Sequence, residues 1–490
     1  MTLLVYEQCA QLAGVALLLA IFYAIFSVRS NPTSKVPGPW HSKWTDVVSR
    51  YHWFIGQHMY YVHRLHQKYG PIVRVSPNVV AVTNLDVVKS IYSTKETYRK
   101  SKFYDILNGR PVDTIFSTRD VDHHRKLRRL LSAPLSETSL KSLVPQISSR
   151  VDLTIQRMKE ESEARGAVDV FKWFLFMATD VIGELSFGES FQMLQKKKKN
   201  QYTKDLEDVT KVSSYRLAFP FFNTLAGLCN NRMPLFSEIA LISERLGEYS
   251  RQSIARYQKQ VDLDPTNAKP TFFTKLFRAE EDEKLSFDDI VANAQTFIVA
   301  GSDTTANALT YFVWTLGERP ALRDALLQEL RALPGDFTEW DLRALPLFNQ
   351  TVEETLRLYS PAADILPRVV PPGGAHIGGY YLGEGTVVAA QAYTLHRDPT
   401  IFENPGQFNP QRWANPTKAM KDSYMPFGRG ARTCIGMHLA YIELRLAAAR
   451  FLLQFPTVCR STREGMSDEE MQMTGTFLIA PKRKRCLIEA

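Results

Sequence analysis

The residue types most able to do chemistry gather around a cysteine near the C-terminal end of this chain. Residues 427–436 read FGRGARTCIG, so Cys434 is framed by glycines. Glycines at this spacing allow tight turns and let the backbone approach a flat cofactor closely. A helix predicted to begin near Met437 would bring backbone N–H groups and the positive end of its dipole to the sulfur, which favours a thiolate. We therefore predict that Cys434 is a thiolate at a cofactor site and not an inert core cysteine.

An acid and an alcohol lie in the middle of a second segment. Residues 286–316 contain no proline and are largely apolar, so they predict a helix about 45 Å long with Ser286 as its N-cap. Asp303 and Thr304 are poor choices for the interior of a helix, and a broken local rule indicates a functional site. The alternative is that Thr304 only bonds back to the carbonyl of Ala300.

A third set of residues carries opposite charges at helical spacing. Glu354 and Arg357 are three residues apart in a helix predicted over 345–359 and stopped by Pro361, so their side chains share one face. Arg412 follows in FNPQRW, residues 408–413, and would complete a charge triad of one carboxylate and two guanidinium groups. We expect this triad to be structural and not catalytic.

The remaining pattern predicts the elements that position these groups. Residues 57–68 and 437–455 are predicted to be helices, and the alternating, valine-rich residues 72–83 are predicted to form a hairpin. Residues 366–392 and 474–488 are predicted to be strands. Residues 95–118 show weak periodicity and are predicted to be a long loop, and the stretch 220–234 interrupts a helical region. One large helix-rich domain with small sheets is the simplest architecture.

The four motifs resemble those of the cytochrome P-450 family. FGxGxRxCxG, AGSDTT at 300–305, ExxR at 354–357 and FNPQRW stand in the family's order, and the resemblance covers about Pro37 to the C-terminus. It implies a mainly α fold with small β-sheets in a single large cytochrome P-450-type domain. It also implies the cofactor haem b (iron protoporphyrin IX), with Cys434 as the axial iron ligand.

The resemblance implies roles for further residues. Asp303 and Thr304 would deliver protons to dioxygen, for which Gly301 would leave room. Phe427 would belong to the cofactor site. The cations predicted to face the haem propionates are Arg128, Arg368 and Arg432, with His124 at a position where the family usually has tryptophan. The alternative for Arg128 and Arg368 is a solvated surface cation. Arg125, Lys126 and Arg129 are expected to face outward, where they would steer an acidic reductase.

The substrate pocket is inferred from helix geometry and from the family's lining segments. Phe297 and Ala300 share the face of Thr304, and Asn293 lies one turn further away. The family's other lining segments carry Phe103, Ile115, Phe116, Phe221, Ile365 and Phe477. These side chains predict an apolar substrate of moderate size. Asp364 is the polar exception, which would either bond a substrate hydroxyl or amine or face solvent.

The N-terminus predicts a membrane anchor. Residues 8–28 carry no charge, and 21 helical residues span roughly 31 Å, enough for a bilayer core. Arg29 and Lys35 follow the segment, which predicts a single-pass protein of the endoplasmic reticulum membrane with a cytoplasmic catalytic domain. The competing interpretation is a cleaved signal peptide. We assign residues 1–35 to the anchor and linker and residues 36–490 to the haem-binding catalytic domain.

Composition excludes several classes of protein. The chain has 490 residues, with 44% apolar and 23% charged residues, which excludes wholesale disorder, collagen and coiled coil. Its net charge of +9 is mild for this length, and we predict no nucleic-acid partner. Five scattered cysteines without a CxxC pair argue against a disulfide framework or a zinc ribbon.

These observations predict a haem-thiolate monooxygenase that inserts one oxygen atom of dioxygen into an apolar small molecule. Electrons would come from an NADPH-dependent flavoprotein reductase, and the loop wording resembles microsomal enzymes of fungal secondary metabolism. A haem-thiolate isomerase or dehydratase is one alternative, against which Asp303 and Thr304 argue. A non-enzymatic haem-binding sensor is the other, although no output module is visible.

Overall fold

The computed structural model describes residues 2–108, 112–219, 221, 234–264, 269–277 and 285–489. Within the first helix it describes the side chains of residues 12, 14–16, 18, 19 and 22–30. The helices are α1 Thr2–Ser30, α2 Val47–Phe54, α3 His58–Tyr69, α4 Leu85–Ile91, α5 Phe103–Asn108, α6 Val121–Ser132, α7 Glu137–Leu140, α8 Val144–Arg165, α9 Val170–Phe187, α10 Met193–Lys196, α11 Gln201–Ala218, α12 Pro234–Leu263, α13 Thr274–Phe277, α14 Phe287–Leu316, α15 Pro320–Arg331, α16 Glu339–Arg343, α17 Pro346–Leu358, α18 Ala392–Leu395, α19 Lys418–Ser423 and α20 Met437–Gln454.

Short strands form small sheets at the edges of the helical body. They are β1 Ile72–Ser76, β2 Val79–Val82, β3 Arg99–Lys100, β4 Val168–Asp169, β5 Arg368–Val369, β6 Ala375–Ile377, β7 Tyr380–Leu382, β8 Val387–Ala389, β9 Cys459–Arg460, β10 Met473–Thr474, β11 Ala480–Pro481 and β12 Leu487–Glu489. The largest sheet has the order β1-β2-β8-β5-β3, in which β1 and β2 form the predicted hairpin. The prediction of a mainly helical fold with small sheets is confirmed.

Helix α14 runs through the core and begins where the sequence predicts. Ser286 accepts from the N–H of Asp289 and the Asp289 carboxylate accepts from the N–H of Ser286, which forms a capping box. Thirty residues make the helix about 45 Å long. A Cβ added to Gly301 would lie 2.9 Å from the side chain of Ile182 on α9. Gly301 therefore permits close helix packing, and the expectation that its missing side chain leaves room for dioxygen is wrong.

The linker after α1 is tied to the first hairpin. Residues 36–39, Val-Pro-Gly-Pro, contain no helix, and the buried guanidinium group of Arg74 donates to the carbonyl oxygens of Thr33 (3.1 Å) and Pro39 (3.2 Å). A Cβ on Gly38 would lie 2.5 Å from the Arg74 carbonyl oxygen. The linker is therefore held against β1 by a buried charge whose donors bond backbone carbonyls and the Ser42 hydroxyl.

The structure differs from the sequence prediction in one region and leaves another outside its description. Residues 95–118, predicted to be a loop, contain β3 and α5. A two-residue strand has no readable alternation, and β3 exists because Arg99 and Lys100 pair with β5. Apart from residue 221, the predicted interruption between 220 and 233 lies outside the described residues.

In the part of the chain that the structure describes, no helix has the combined length and apolar character that crossing a membrane requires. The membrane anchor stays a prediction.

Candidate active site

The loop around Cys434 is shaped by glycines and closed by a backbone bond. Gly428 and Gly430 have φ angles of 71° and 72°, in the left-handed region that glycine tolerates best. A Cβ on Gly430 would lie 2.1 Å from the carbonyl oxygen of Tyr92, so no other residue fits there. The N–H of Cys434 donates to the Phe427 carbonyl oxygen over 2.8 Å, which presents the sulfur just before α20 begins.

The exposure and the pKa of the Cys434 thiol together indicate that it borders an internal space. Its side chain has accessible surface, and yet burial is the largest influence on its pKa. Both hold when a group is surrounded by protein but borders an internal space. Burial raises the pKa of this thiol, whereas a hydrogen bond from the Gly436 N–H and the charge of Arg128 lower it. The Gly436 N–H therefore favours the thiolate, as predicted for the backbone N–H groups of this loop, while burial acts in the opposite direction.

The middle of α14 borders accessible space too. Ala300 is exposed and Asp303 and Thr304 are half-buried, whereas most residues of the helix on either side of this step are buried. The pKa of Asp303 is raised to about 6, chiefly by burial; among the charges that act on it, Lys484 and Lys199 lower the pKa and Glu207 raises it. The Thr304 hydroxyl donates to the Ala300 carbonyl over 2.7 Å, so the local bond of the alternative interpretation is present.

Buried cations converge near the cysteine loop. Arg432 donates to the Glu96 carboxylate and, over 2.9 Å, to the Thr118 carbonyl, while its Nη2 has no hydrogen-bond partner among the described residues. His124 is buried with its Nδ1 3.4 Å from a Glu96 oxygen, but that nitrogen makes no hydrogen bond within the described chain. Burial, followed by the Arg432 charge, lowers the pKa of His124 to about 4.

The other two predicted cations also point inward. Arg128 is half-buried and donates to the Thr433 carbonyl over 2.7 Å, beside the cysteine. Arg368 is buried and donates to the Tyr104 hydroxyl over 3.0 Å and to the Pro367 carbonyl over 3.0 Å. The alternative of a solvated surface cation is wrong for Arg368. By contrast, the neighbours of Arg128 expected to face outward are exposed, namely Arg125, Lys126 and Arg129.

Two members of this cluster, Glu96 and Lys100, were missed by the sequence analysis. The Lys100 ammonium group is buried, donates to the Phe116 carbonyl and lies 4.1 Å from the Tyr104 ring centroid. Burial and then the charges of Arg368 and Arg432 lower its pKa well below the usual value. The linear sequence offers no signal for this lysine, because Arg368 and Arg432, the two arginines whose charges act on it, belong to distant segments of the chain.

A buried carboxylate organises the segment between the ExxR helix and the cysteine loop. The Glu354 side chain is inaccessible and accepts from Arg357 Nε (2.8 Å) and Nη2 (2.8 Å) and from Arg412 Nε (3.0 Å). It also accepts from the Asn409 N–H (2.8 Å) and from Trp413 Nε1 (2.9 Å). Five donors on one carboxylate offset the loss of its hydration.

His396, also missed from sequence, joins the same helix to the cysteine loop. Its buried ring donates from Nδ1 to the Arg357 carbonyl (2.9 Å) and accepts at Nε2 from the Met425 N–H (2.9 Å). Because a carbonyl only accepts and an amide N–H only donates, the tautomer is determined. Arg357 Nη1 donates in return to the His396 carbonyl over 2.6 Å. Burial lowers the pKa of His396 to about 3, so the ring stays neutral.

The predicted pocket residues separate into two groups. The rings of Phe103, Phe116 and Phe477 form one cluster, with centroids 6.2 Å and 5.4 Å from that of Phe477. Ile115 joins this side to α14, because its N–H donates to Asn293 Oδ1 over 2.9 Å. Phe297 instead is buried against Phe272 and Phe273, and its ring lies 5.8 Å from that of Phe273.

The side chains of Asp364 and Ile365 are both buried. Asp364 contacts His58 Nδ1 at 2.9 Å, so the alternative that it faces solvent is wrong. Phe221 is exposed, and residues 220 and 222–233 on either side of it lie outside the described residues.

Comparison with known proteins identifies the family. A model of the family described as "Cytochrome P450" matches residues 38–487. The chain is 43% identical over 487 residues to the cytochrome P450 monooxygenase tazI of Aspergillus terreus, covering 99% of each chain. The chain belongs to the cytochrome P450 family. It is also 41% identical to the cytochrome P450 monooxygenase orf2 of Aspergillus niger, covering 98% of this chain and 97% of that protein.

A more distant relative carries a more specific name. The tryprostatin B 6-hydroxylase of Neosartorya fischeri is 29% identical over 465 residues, covering 92% of this chain and 81% of the relative. As a cytochrome P450 monooxygenase, this protein is an oxidoreductase that uses haem b and acts on a small molecule with dioxygen and a redox partner. Its own residues fit that cofactor, because unpartnered nitrogens of Arg432 and His124 and an excess of buried cations match two propionates.

We predict that Glu354→Gln lowers the stability of the protein by roughly 3–5 kcal/mol, because it leaves the Arg357 guanidinium group buried without its counter-charge. The measurements are the haem content per polypeptide and the midpoint of thermal unfolding. Glu160→Gln is the matched control, since Glu160 accepts from Arg157 and Lys197 at the surface, where solvent screens the ion pairs, and should leave haem content and stability close to wild type. Wild-type haem content and stability in Glu354→Gln would contradict the structural role.

We predict a graded loss for His396 variants. His396→Asn keeps a donor near Nδ1 and His396→Gln an acceptor near Nε2, so each leaves one buried backbone group unpaired at a cost of about 1–3 kcal/mol. His396→Ala leaves both groups unpaired. The measurement is the fraction of protein that shows the thiolate-type absorption band when reduced and bound to carbon monoxide. His376→Asn, at an exposed histidine, is the control; an unchanged band in His396→Ala would refute the link to the cysteine loop.

Proposed function

We propose that this cytochrome P450 hydroxylates an apolar small molecule in fungal secondary metabolism, with Cys434 as the iron ligand and electrons from an NADPH-dependent flavoprotein reductase. One observation carries the proposal: the Cys434 side chain and Ala300 keep exposed surface and Asp303 and Thr304 are half-buried, although burial dominates the pKa of both Cys434 and Asp303, and buried cations converge near the cysteine loop. The bound haem supplies the activation of dioxygen through its thiolate-ligated iron.

The protein residues contribute binding and proton transfer. Lys100, Arg128, Arg368, Arg432 and His124 would meet the propionates, and Phe427 would support the loop through its ring contact with Tyr441, 5.2 Å between centroids. The Asp303 carboxyl, with a pKa of about 6, exchanges protons near neutral pH and stands next to Thr304. The charges of Lys199, Glu207 and Lys484 act on Asp303, so the protons would arrive from that side.

The substrate class follows from the aromatic cluster and from the relatives. Phe103, Phe116 and Phe477 present apolar surface. The Asp364 carboxylate is hydrogen-bonded to His58 and is therefore not free to bind a charged substrate. The relative named for 6-hydroxylation of tryprostatin B supports hydroxylation as the type of oxidation. The exposed cations Arg125 and Lys126 stand three and two residues before Arg128 on α6, and Arg129 follows it directly. These three cations would attract an acidic reductase.

We also propose that the protein is held at the endoplasmic reticulum membrane with its catalytic domain in the cytoplasm. The uncharged residues 8–28 lie in one helix, in which Leu18, Phe22 and Tyr23 are exposed. A second set of exposed aromatic residues, here named the aromatic face, consists of Trp40, Trp44, Tyr51, Phe54 and Phe219. Four of them fall within residues 40–54, and the rings of Phe54 and Phe219 lie 5.7 Å apart. Tryptophan and tyrosine prefer the boundary between lipid and water, which favours a membrane for this face.

The reaction is tested by expression with a reductase and product analysis against apolar terpenoid and polyketide scaffolds. We expect an oxygenated product that requires reductant and dioxygen and is absent with Cys434→Ser. Product formed without reductant would instead favour the isomerase. Reductant that is never consumed with any scaffold would favour the sensor.

The proton-transfer role predicts a loss of coupling. Thr304→Ala should lower the product formed per NADPH and release hydrogen peroxide. Asp303→Asn should slow turnover roughly 10²-fold. Since Asp303 loses its proton as pH rises through about 6, wild-type turnover should fall above that pH, and the variant should lose this dependence.

Thr310→Ala is the matched control, because Thr310 makes the same kind of bond, to the Ala306 carbonyl over 2.7 Å, elsewhere on α14. Equal coupling in Thr304→Ala and Thr310→Ala would show that Thr304 serves the helix alone.

The membrane proposal predicts two separable contributions. Protein lacking residues 2–30 should remain loosely bound to microsomes and be released by high salt or carbonate, whereas the full chain resists both. The triple variant Trp40→Ser/Phe54→Ser/Phe219→Ser in the shortened chain should shift it to the supernatant. Trp340→Ser, at an exposed tryptophan outside the aromatic face, is the control. A full chain found in the supernatant would refute the anchor.

A further inference from the structure

The side chains of Ser49, His58 and Asp364 meet in the interior, between the aromatic cluster of Phe103, Phe116 and Phe477 and the N-terminal helices α2 and α3. His58, the first residue of α3, contacts both Asp364 carboxylate oxygens through Nδ1, at 2.9 and 3.0 Å. Its Nε2 lies 3.1 Å from the hydroxyl oxygen of Ser49 on α2. The three side chains are buried, at 7% exposure for Ser49, 0% for His58 and 4% for Asp364. Since a carboxylate only accepts, the His58 Nδ1 carries the proton.

The same residue types act as nucleophile, base and orienting acid in serine hydrolases. Here Trp53 covers the His58 ring in a stacked arrangement, with centroids 4.0 Å apart. The Ser49 hydroxyl lies within a helix at a buried position. A substrate carbonyl therefore has no approach, and hydrolysis is not the use of this arrangement.

The contacts lead from this pair to the predicted pocket by two routes. One Asp364 oxygen also accepts from the Ile365 N–H over 2.7 Å, which orients a predicted lining residue. On the other side Trp53 contacts the ring of Phe103, 5.5 Å between centroids, and Phe103 contacts Phe477. The His58–Asp364 pair therefore joins segments 306 residues apart. It lies where the predicted lining segment around Ile365 meets the aromatic cluster.

The surroundings make the polar pair an unusual choice for stability alone. The neighbouring buried cluster is apolar and includes Trp53, Tyr61, Leu65 and Ile365. Replacing a buried ion pair with well-packed apolar residues of similar size is often neutral or stabilising. A hydrogen bond, unlike an apolar contact, sets the direction and distance between its two groups. The His58–Asp364 pair can therefore fix the position of the Ile365 segment relative to the Trp53–Phe103 stack.

We propose that His58 and Asp364 are positioning residues for substrate binding, which hold the Ile365 segment and the Trp53–Phe103 stack as one rigid wall and so set the size of substrate that the pocket admits. The inference rests on the proposed function, since it requires that this wall faces the haem. It assigns no contact between the pair and the substrate.

The test uses two nitrogen ligands of haem iron with the purified holoprotein. Imidazole is small, whereas 4-phenylimidazole extends from the iron toward the wall; both are titrated by the spectral shift that accompanies nitrogen binding. The measured quantity is the ratio of their dissociation constants. A misfit of about one methylene in an apolar pocket changes affinity roughly 10-fold or more. We expect His58→Phe and Asp364→Ala to change the ratio by about that factor and to leave imidazole binding within about twofold.

The double variant His58→Phe/Asp364→Leu separates positioning from stability. It fills the space with apolar groups and leaves no buried charge, so its unfolding midpoint should rise above those of both single variants while the ligand ratio stays altered. Asp364→Asn, which keeps an acceptor for His58, should bring the ratio back toward the wild-type value. Asp180→Asn is the control, because Asp180 is a buried carboxylate that accepts from Met193 and Leu194 elsewhere; it should lower stability without changing the ratio.

Recovery of both stability and ligand ratio in the double variant would overturn the proposal, as would unchanged ratios in the single variants. A wild-type protein in which imidazole produces no spectral shift would refute the haem-thiolate site itself and not the wall.

Discussion

The Glu354 carboxylate accepts five hydrogen bonds in the interior, from Arg357, Arg412, Trp413 and the backbone of residue 409. A buried charge is tolerated only when its hydration is replaced this completely. The arginine that satisfies it also donates to the carbonyl of His396, whose ring in turn receives the Met425 N–H. One ionic centre thus holds the chain that leads into the Cys434 loop, and the position of the sulfur depends on it.

Buried charge must also be balanced on the other side of the cysteine loop, but there the excess charge is positive. There Lys100, Arg368 and Arg432 are buried so close together that the two arginine charges lower the pKa of the lysine. The Glu96 carboxylate accepts a hydrogen bond from Arg432 and so balances only part of this positive charge. Positive charge gathered in the interior without matching carboxylates is a site for an anionic ligand. A cofactor with two carboxylates satisfies that requirement, and its binding would contribute to folding as well as to chemistry.

Elements with a strong local signal were predictable. The proline-free apolar run and its Ser286 cap gave the limits of α14 within one residue, and the alternation of residues 72–83 gave the first hairpin. The region 95–118 was not predictable, since β3 is stabilised by pairing with β5 and has no pattern of its own. Gly301 shows the same limit: the motif marks the position, but only the packing against Ile182 reveals which way its missing side chain points.

The sequence by itself determined the family, the helix-rich class and the cysteine, because these are written in residue types at fixed short spacings. Tertiary structure alone decided which charges meet. Glu96, Lys100, His396 and the His58–Asp364 pair carry no local mark. Glu96 bonds Arg432 and His58 bonds Asp364 across 336 and 306 residues of sequence, His396 bonds residues 39 and 29 positions away, and distant arginine charges act on Lys100. The physical reason is that burial, which gives these groups their altered pKa values and their need for partners, is a property of the folded chain and not of any short stretch of it.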